Sequence, residues 1–246
     1  MTTPLRIAMW SGPRNLSTAL LRSWGNRTDT AVTDEPLYAH YLRAAGVDHP
    51  GRREILAAYD DDWRRVTDWL RGPAPGGQAI WYQKHMTHHI TDDVDLGWLD
   101  ALHNCFLIRE PAEVIASYAE VRDEPTLEDL GLPQQGRVFS HVVDTAGTPP
   151  VIDAADLLRD PATVLAALCA AVGVAFSERM LWWPPGRRET DGVWAEHWYG
   201  AVECSTGFAP YEPRAVQLDA RFAELRAAAD DLYQRLAAHR LITVDA

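Results

Sequence analysis

The chain has 246 residues, 35 of them acidic and 23 basic, for a formal net charge of −12. One apolar core can serve that length, and 47% apolar with 24% charged residues excludes a disordered chain. The acidity also disfavours a general binder of DNA or RNA, which needs a basic surface, but it leaves room for a small anion held by a few local cations.

In chain order, residues 5–10 form a short apolar run that ends at Ser11-Gly12-Pro13, a buried strand entering a tight loop. Leu16, Ala19, Leu20, Ser23 and Trp24 then recur at helical spacing, which predicts a helix from about Asn15 with that residue as its cap. A second strand is predicted at 30–33, followed by Asp34-Glu35-Pro36 and a polar, aromatic-rich region with a helix over 53–70. The turn-forming stretch 72–77 leads to a third strand at 79–84. A fourth at 104–108 ends at Arg109-Glu110-Pro111, where Pro111 opens a helix carrying Val114, Ile115, Tyr118 and Val121 inward. A fifth strand at 150–153 precedes a helix capped by Asp160 and begun by Pro161, and a last helix is predicted over 213–239. Strands alternating with helices predict an α/β fold with a mainly parallel sheet, which binds ligands at the carboxyl ends of its strands. The motifs below sit at four such ends.

Between the first strand and its helix lies Ser11-Gly12-Pro13-Arg14-Asn15-Leu16-Ser17-Thr18. Backbone N–H groups at a helix start form an anion cradle, to which Arg14 adds charge and Ser17 and Thr18 add hydroxyls. With Gly12 at the first glycine of G-x-x-x-x-G-K-[ST], the later positions hold Ser17, Thr18 and Ala19. The register has no phosphate-loop lysine, which makes ATP or GTP hydrolysis less favoured. Of the basic residues 22 are Arg, and Lys84 is the single lysine. Codon bias accounts for the arginines, and leaves open why one lysine persists where a compact point charge is not equivalent to a guanidinium.

Arg109 at a strand end, with Ser117 eight residues later on a helix, completes a pattern. With the first loop, the run from Phe106 to Ser117 resembles sulfotransferases that use 3′-phosphoadenosine 5′-phosphosulfate (PAPS), including bacterial carbohydrate-acting branches. The stretch from Val151 to Pro161 is similar to the strand, acidic turn and Asp-Pro helix start of that family. Gly192-Val193-Trp194, with Arg187 and Arg188 before it and Trp198 after, resembles a late segment that closes over the 3′-phosphate. The matching motifs run from residue 5 to about 200. Asn15-Leu16 departs from the family's small pair, and 36–78 matches no known motif.

The resemblance implies one domain over 1–246, a three-layer sandwich around a mainly parallel sheet of the P-loop NTPase-like sulfotransferase type, with 36–78 as a helical insertion on the acceptor side. It implies PAPS as sulfuryl donor, adenosine 3′,5′-bisphosphate as product and no metal requirement. Gly12, Arg14, Asn15, Ser17 and Thr18 would hold the 5′-phosphosulfate; Arg109, Ser117, Arg187, Arg188 and Gly192 would form the 3′-phosphate site. Arg14 and Lys84 are the candidate leaving-side cations. Glu35 and His85 compete as the base: His has the more convenient pKa, a Glu would need raising by burial, and Glu35 is narrowly preferred. His85, His88 and His89 have ligand-like spacing, but no H-E-x-x-H accompanies them and no metal is assigned.

Among ten tryptophans, Trp10, Trp24 and Trp81 read as core, while Trp63, Trp69, Trp182, Trp183, Trp194 and Trp198 are candidates for a pocket wall or for packing of the late segment. The expected partner is a small-molecule acceptor bearing a hydroxyl or amine. No nucleic acid or membrane is expected, and a homodimer is compatible with the sequence. Three cysteines with no ligand-like spacing and no signal-like N-terminus predict a cytoplasmic protein. Two rivals stand beside this reading: a nucleotide-triphosphate kinase or NTPase with Asp153 as its metal-holding acid, and a nucleotide-binding protein of the same fold without catalysis.

Overall fold

Strands β1 (Leu5–Ser11), β2 (Thr30–Asp34), β3 (Ile80–Met86), β4 (His103–Ile108) and β5 (Val151–Asp153) all pair in parallel, in the order β2-β3-β1-β4-β5. The computed structural model describes residues 3–213 and 216–241. Strands buried on both faces read as continuous apolar runs, and alternation sends neighbouring side chains to opposite sides. Ile7 and Met9 therefore join one core with Tyr82, Cys105 and Leu107, whereas Ala8 and Trp10 join another with Trp81 and Phe106.

The helices complete two outer layers. On the first face α1 (Ser17–Gly25) contributes Leu20, Leu21 and Trp24. Helices α2 (Tyr38–Ala45) and α3 (Arg52–Ala58) pack instead against the late segment around Trp194 and Tyr199, while α4 (Trp63–Leu70) covers the second face through Trp63, Val66 and Leu70. After β4, α5 (Pro111–Ala119) and the short α6 (Leu127–Leu130) lead into α7 (Leu132–Ala146), whose Val138, Phe139 and Val142 fill the second face. Helix α8 (Ala154–Arg159) follows β5, and α9 (Pro161–Ala171) supplies Val164, Leu165 and Leu168 to the first face. Single turns α10 (Ala195–Trp198) and α11 (Gly200–Glu203) precede the last helix, α12 (Ala223–Ala237).

The sequence expectations meet this fold with several corrections. The helix expected over 53–70 is two helices, because Tyr59 is extended (φ −126°, ψ 151°) and Asp62 starts α4 anew by accepting the Arg64 N–H. Asn15 does not cap α1: the cap position is Leu16, left-handed at φ 63° and without a side-chain cap. Val121 follows the end of α5 and is exposed rather than inward. The last helix begins not at 213 but at a single 3-10 turn, Ala220–Phe222; residues 214 and 215 of the expected span lie outside the described residues. Asp160 and Pro161 start α9 as expected, the Asp160 carboxylate accepting the Thr163 N–H.

No helix among the described residues is long and apolar enough to cross a membrane.

Candidate functional site

A cavity of about 800 Å³ opens at the carboxyl ends of β1 to β4. Arg14, Asn15, Ser17 and Thr18 line it from the loop after β1, Glu35 from the end of β2, Lys84 from β3, and Arg109 and Ser117 from β4 and α5. Residues far apart in sequence thus share one wall, as the strand-end placement requires.

The first loop is shaped by backbone strain. Arg14 (φ 62°) and Leu16 (φ 63°) are left-handed, a conformation costly for residues with a Cβ, and α1 starts at Ser17 with no acidic residue in its first turn. The first N–H groups of that helix have no helical partner, and no acidic side chain of its first turn competes for them. Gly12 is needed for packing, since a Cβ there would stand 2.4 Å from the carbonyl oxygen of Leu130 in α6. Gly12→Ala is therefore expected to destabilise the fold by about 1–3 kcal/mol through forced backbone movement, measurable by chemical denaturation.

The two halves of the expected phosphate site meet directly. Arg14 Nε donates to Ser117 Oγ at 2.9 Å, and Arg109 Nη1 donates to the Arg14 carbonyl at 2.7 Å. Arg109 is aimed from its other edge by Glu113, one turn into α5, at 2.8 Å. Asn15 is buried, with Oδ1 unpartnered and Nδ2 at 3.5 Å from the Leu107 carbonyl.

Deeper in, Lys84 is surrounded. Its Nζ donates to Asp34 Oδ1 at 2.9 Å, Glu35 Oε1 at 2.6 Å and the Tyr199 hydroxyl at 2.7 Å. Tyr199 in turn donates to Asp34 Oδ2 at 2.6 Å. Burial opposes the charge of Lys84, but the Asp34 and Glu35 carboxylates outweigh it and hold its pKa well above the ordinary value. Burial raises the pKa of Glu35, and with the neighbouring Asp34 charge it outweighs the Lys84 ammonium. Glu35 is also left-handed, at φ 41°, although the following Pro36 narrows its choices further. All three non-glycine residues with positive φ among those described line this cavity, where strain is held by its surroundings.

The other base candidate lies elsewhere. His85 follows Lys84 on β3 and points to the opposite face, stacked on Trp10 at 4.3 Å. Burial pushes its pKa down to about 3, and it is not among the residues lining the cavity. Arg187, Arg188 and Gly192 are not brought there either. Arg188 turns its guanidinium onto the carbonyls of Pro184, Pro185 and Gly186. Asp191 accepts the Arg188 N–H at 2.8 Å and forms a buried ion pair with Arg22 of α1 at 2.7 Å. Gly192 makes room for the Trp194 indole, which a Cβ would meet at 2.2 Å. Of the six tryptophans considered for a pocket wall, only Trp198 lines the cavity; Trp63, Trp183 and Trp194 are buried in packing, and Trp69 and Trp182 are exposed.

Sequence reasoning missed Asp34, Tyr199 and the aromatic wall of Tyr38 and His89. Asp34 stood next to a chosen residue, and Tyr199 stands one position after the aromatic residue that the motif drew attention to. Their spacing in the sequence presents His88 and His89 only as possible ligands. Among the described residues no three His, Cys, Asp or Glu side chains converge on a point that could hold a metal ion.

A family model described as a sulfotransferase domain matches residues 5–240. The chain is 37% and 34% identical to two proteins of Arabidopsis thaliana named branched-chain-amino-acid aminotransferase-like protein 1 and 2, over 85% and 82% of its length. It spans only 37% and 36% of those relatives, so their names describe much longer proteins. Among solved structures, the sulfotransferase domain of the Synechococcus PCC 7002 olefin synthase superposes with a TM-score of 0.51 at 18% identity, over 96% of each chain. A sulfotransferase from Alicyclobacillus acidocaldarius gives 0.52 at 16% identity over 98% of each. At such identities these structures show the shared fold, a P-loop-like α/β sandwich.

Proposed function

This chain belongs to the sulfotransferase domain family, and from that premise we propose that it moves the sulfuryl group of PAPS to a small-molecule acceptor and releases adenosine 3′,5′-bisphosphate. The observation that carries the reading is the joined pair of anion sites, Arg14 on Ser117 and Arg109 on Arg14, at the mouth of the cavity that also holds Glu35 and Lys84.

The residues present fit such a donor. The strained loop and the start of α1 supply backbone donors for the phosphosulfate end, with the hydroxyls of Ser17, held only by a long contact to Met86 Sδ, and of Thr18 beside them. Arg109 and Ser117 supply a guanidinium and a hydroxyl for the second phosphate. The donor, when bound, brings an activated sulfuryl group whose leaving phosphate needs positive charge beside it. Arg14, which lines the cavity, is the candidate for that charge. Lys84 is committed to two carboxylates and serves first to hold Glu35, which then accepts the proton of the acceptor through Oε2. Tyr38, Asp48 and His49, all from the 36–78 region, line the same cavity and support that region as the acceptor side.

The kinase rival is less favoured by placement. Asp153 accepts the Ala155 N–H at 2.7 Å and the Tyr233 hydroxyl at 2.7 Å, and it is not among the cavity-lining residues. Turnover of PAPS in EDTA supports the sulfotransferase; dependence on Mg²⁺ with turnover of ATP supports the kinase. Calorimetry with adenosine 3′,5′-bisphosphate tests the donor directly. The wild-type chain should bind it, and Arg109→Ala should weaken binding by about 10- to 100-fold, the worth of a charged hydrogen bond to phosphate. No binding by the wild type would overturn the donor assignment.

A further inference from the structure

Among the described residues that line the cavity, His89 is a buried side chain without a hydrogen bond to the protein. His89 is buried, its exposure only 2%, and neither ring nitrogen makes a hydrogen bond. The ring is stacked on Tyr38 at 4.6 Å and on Tyr41 at 5.0 Å, both nitrogens are buried, and its edge is what remains to make a hydrogen bond. Leaving a buried imidazole nitrogen unsatisfied is costly, and such a group in a cavity wall points to a ligand atom.

The edge faces the base. His89 Nε2 lies 3.9 Å from Glu35 Oε2, the carboxylate oxygen that Lys84 does not hold. That distance is too long for a direct hydrogen bond, yet one oxygen atom about 2.8 Å from each would bridge it. Burial keeps the imidazole neutral, so it carries one N–H and one lone pair. The adjacent carboxylate favours the tautomer with the proton on Nε2, pointing towards Glu35.

We propose that the acceptor is an alcohol and that His89 selects it, donating Nε2–H to the reacting oxygen while Glu35 receives the hydroxyl proton. This rests on the sulfotransferase reading and narrows it to one class of acceptor. In the step, the acceptor O–S bond forms and the bond from sulfur to the 5′-phosphate oxygen breaks. The electron pair of that bond stays on the leaving phosphate, and the proton ends on Glu35 Oε2. A hydroxyl suits both partners, because it offers a lone pair to His89 and a hydrogen to Glu35 at once. An alkylamine is an ammonium at neutral pH, with hydrogens only; to bind there it would confront the Nε2–H or force the imidazole into the other tautomer.

The test is a set of matched acceptors offered with ³⁵S-labelled PAPS: cyclohexylmethanol against cyclohexylmethylamine, and methyl α-glucopyranoside against its 6-amino-6-deoxy counterpart. Transfer is expected to the alcohols, about 100-fold or more above their amine partners. His89→Phe keeps an aromatic ring between Tyr38 and Tyr41 and removes the nitrogens, with a six-membered ring in place of five. It should lower kcat/KM for the best alcohol by about 10- to 100-fold, with binding of adenosine 3′,5′-bisphosphate unchanged, and His89→Gln should recover part of the loss. Amines turned over as well as alcohols, or a His89→Phe protein with unaltered kcat/KM, would overturn the inference. So would the absence of product from any alcohol in a protein that still binds the nucleotide, which leaves the donor assignment standing. Failure to bind the nucleotide would remove the donor reading and this inference with it.

Discussion

Lys84→Met is expected to destabilise the fold by about 3–5 kcal/mol, because it leaves two buried carboxylates without their cation. The methionine keeps the length and apolar stem of the side chain, so packing is nearly conserved and the loss reports the charge. Asp34 and Glu35 would then lie beside each other with only Tyr199 to donate, and one of them would take up a proton. Transfer should fall by at least about 100-fold, since Glu35 loses the contact that fixes Oε1. Binding of adenosine 3′,5′-bisphosphate should hold in the folded fraction, because Arg14, Arg109 and Ser117 do not touch Lys84. Urea denaturation and calorimetry read the two effects separately. Adding Asp34→Asn should restore part of the stability and none of the turnover. A single variant as stable as wild type would refute the account of the cluster.

The second large effect is expected at Glu35. Glu35→Gln should lower kcat by about 10²- to 10⁴-fold, the usual worth of a positioned base, while leaving nucleotide binding intact. The pH dependence supplies a signature. As pH falls, Glu35 binds a proton and can no longer serve as the proposed base; burial raises its pKa, so the acid limb of kcat/KM should lie above the ordinary 4.5. That limb should be absent from the residual activity of Glu35→Gln. His85 cannot substitute, being stacked against Trp10 on the far face of the sheet. Full activity of the glutamine variant would require another group entirely.

Much of this arrangement could be read in advance because it follows from local rules. Strand runs such as 5–10 are apolar because both faces are covered, and motifs at their carboxyl ends converge because parallel sheets place those ends together. Arg14, Glu35, Lys84 and Arg109 stand at or just after such strand ends and share the cavity, whereas the pairing of Ser117 with Arg109 comes from the family resemblance. His85 was misplaced for an equally simple reason: consecutive residues on a strand face opposite sides, so it and Lys84 could not both reach the cavity. The break at 59–62 leaves no mark in the sequence, because apolar spacing runs on through a chain whose backbone turns extended at Tyr59. Helix α7 was obscured by Pro133 and Gly136, although the proline sits harmlessly in the first turn and the glycine lies beneath Leu232. Tyr199 and His89 could not be assigned, because their roles depend on partners 165 and 54 residues away, and nothing local encodes such pairings.

The reach of Tyr199 across the chain has a consequence in time. Asp34, Glu35 and Lys84 are synthesised early, but the hydroxyl that ties Asp34 to Lys84 arrives only with residue 199. A nascent polypeptide can pair its first strands long before that, yet it holds a charged cluster short of one donor. Contacts of such separation close last. The cluster is thus complete only once residue 199 has been made, and fragments ending before this tyrosine should lack the hydroxyl that ties Asp34 to Lys84.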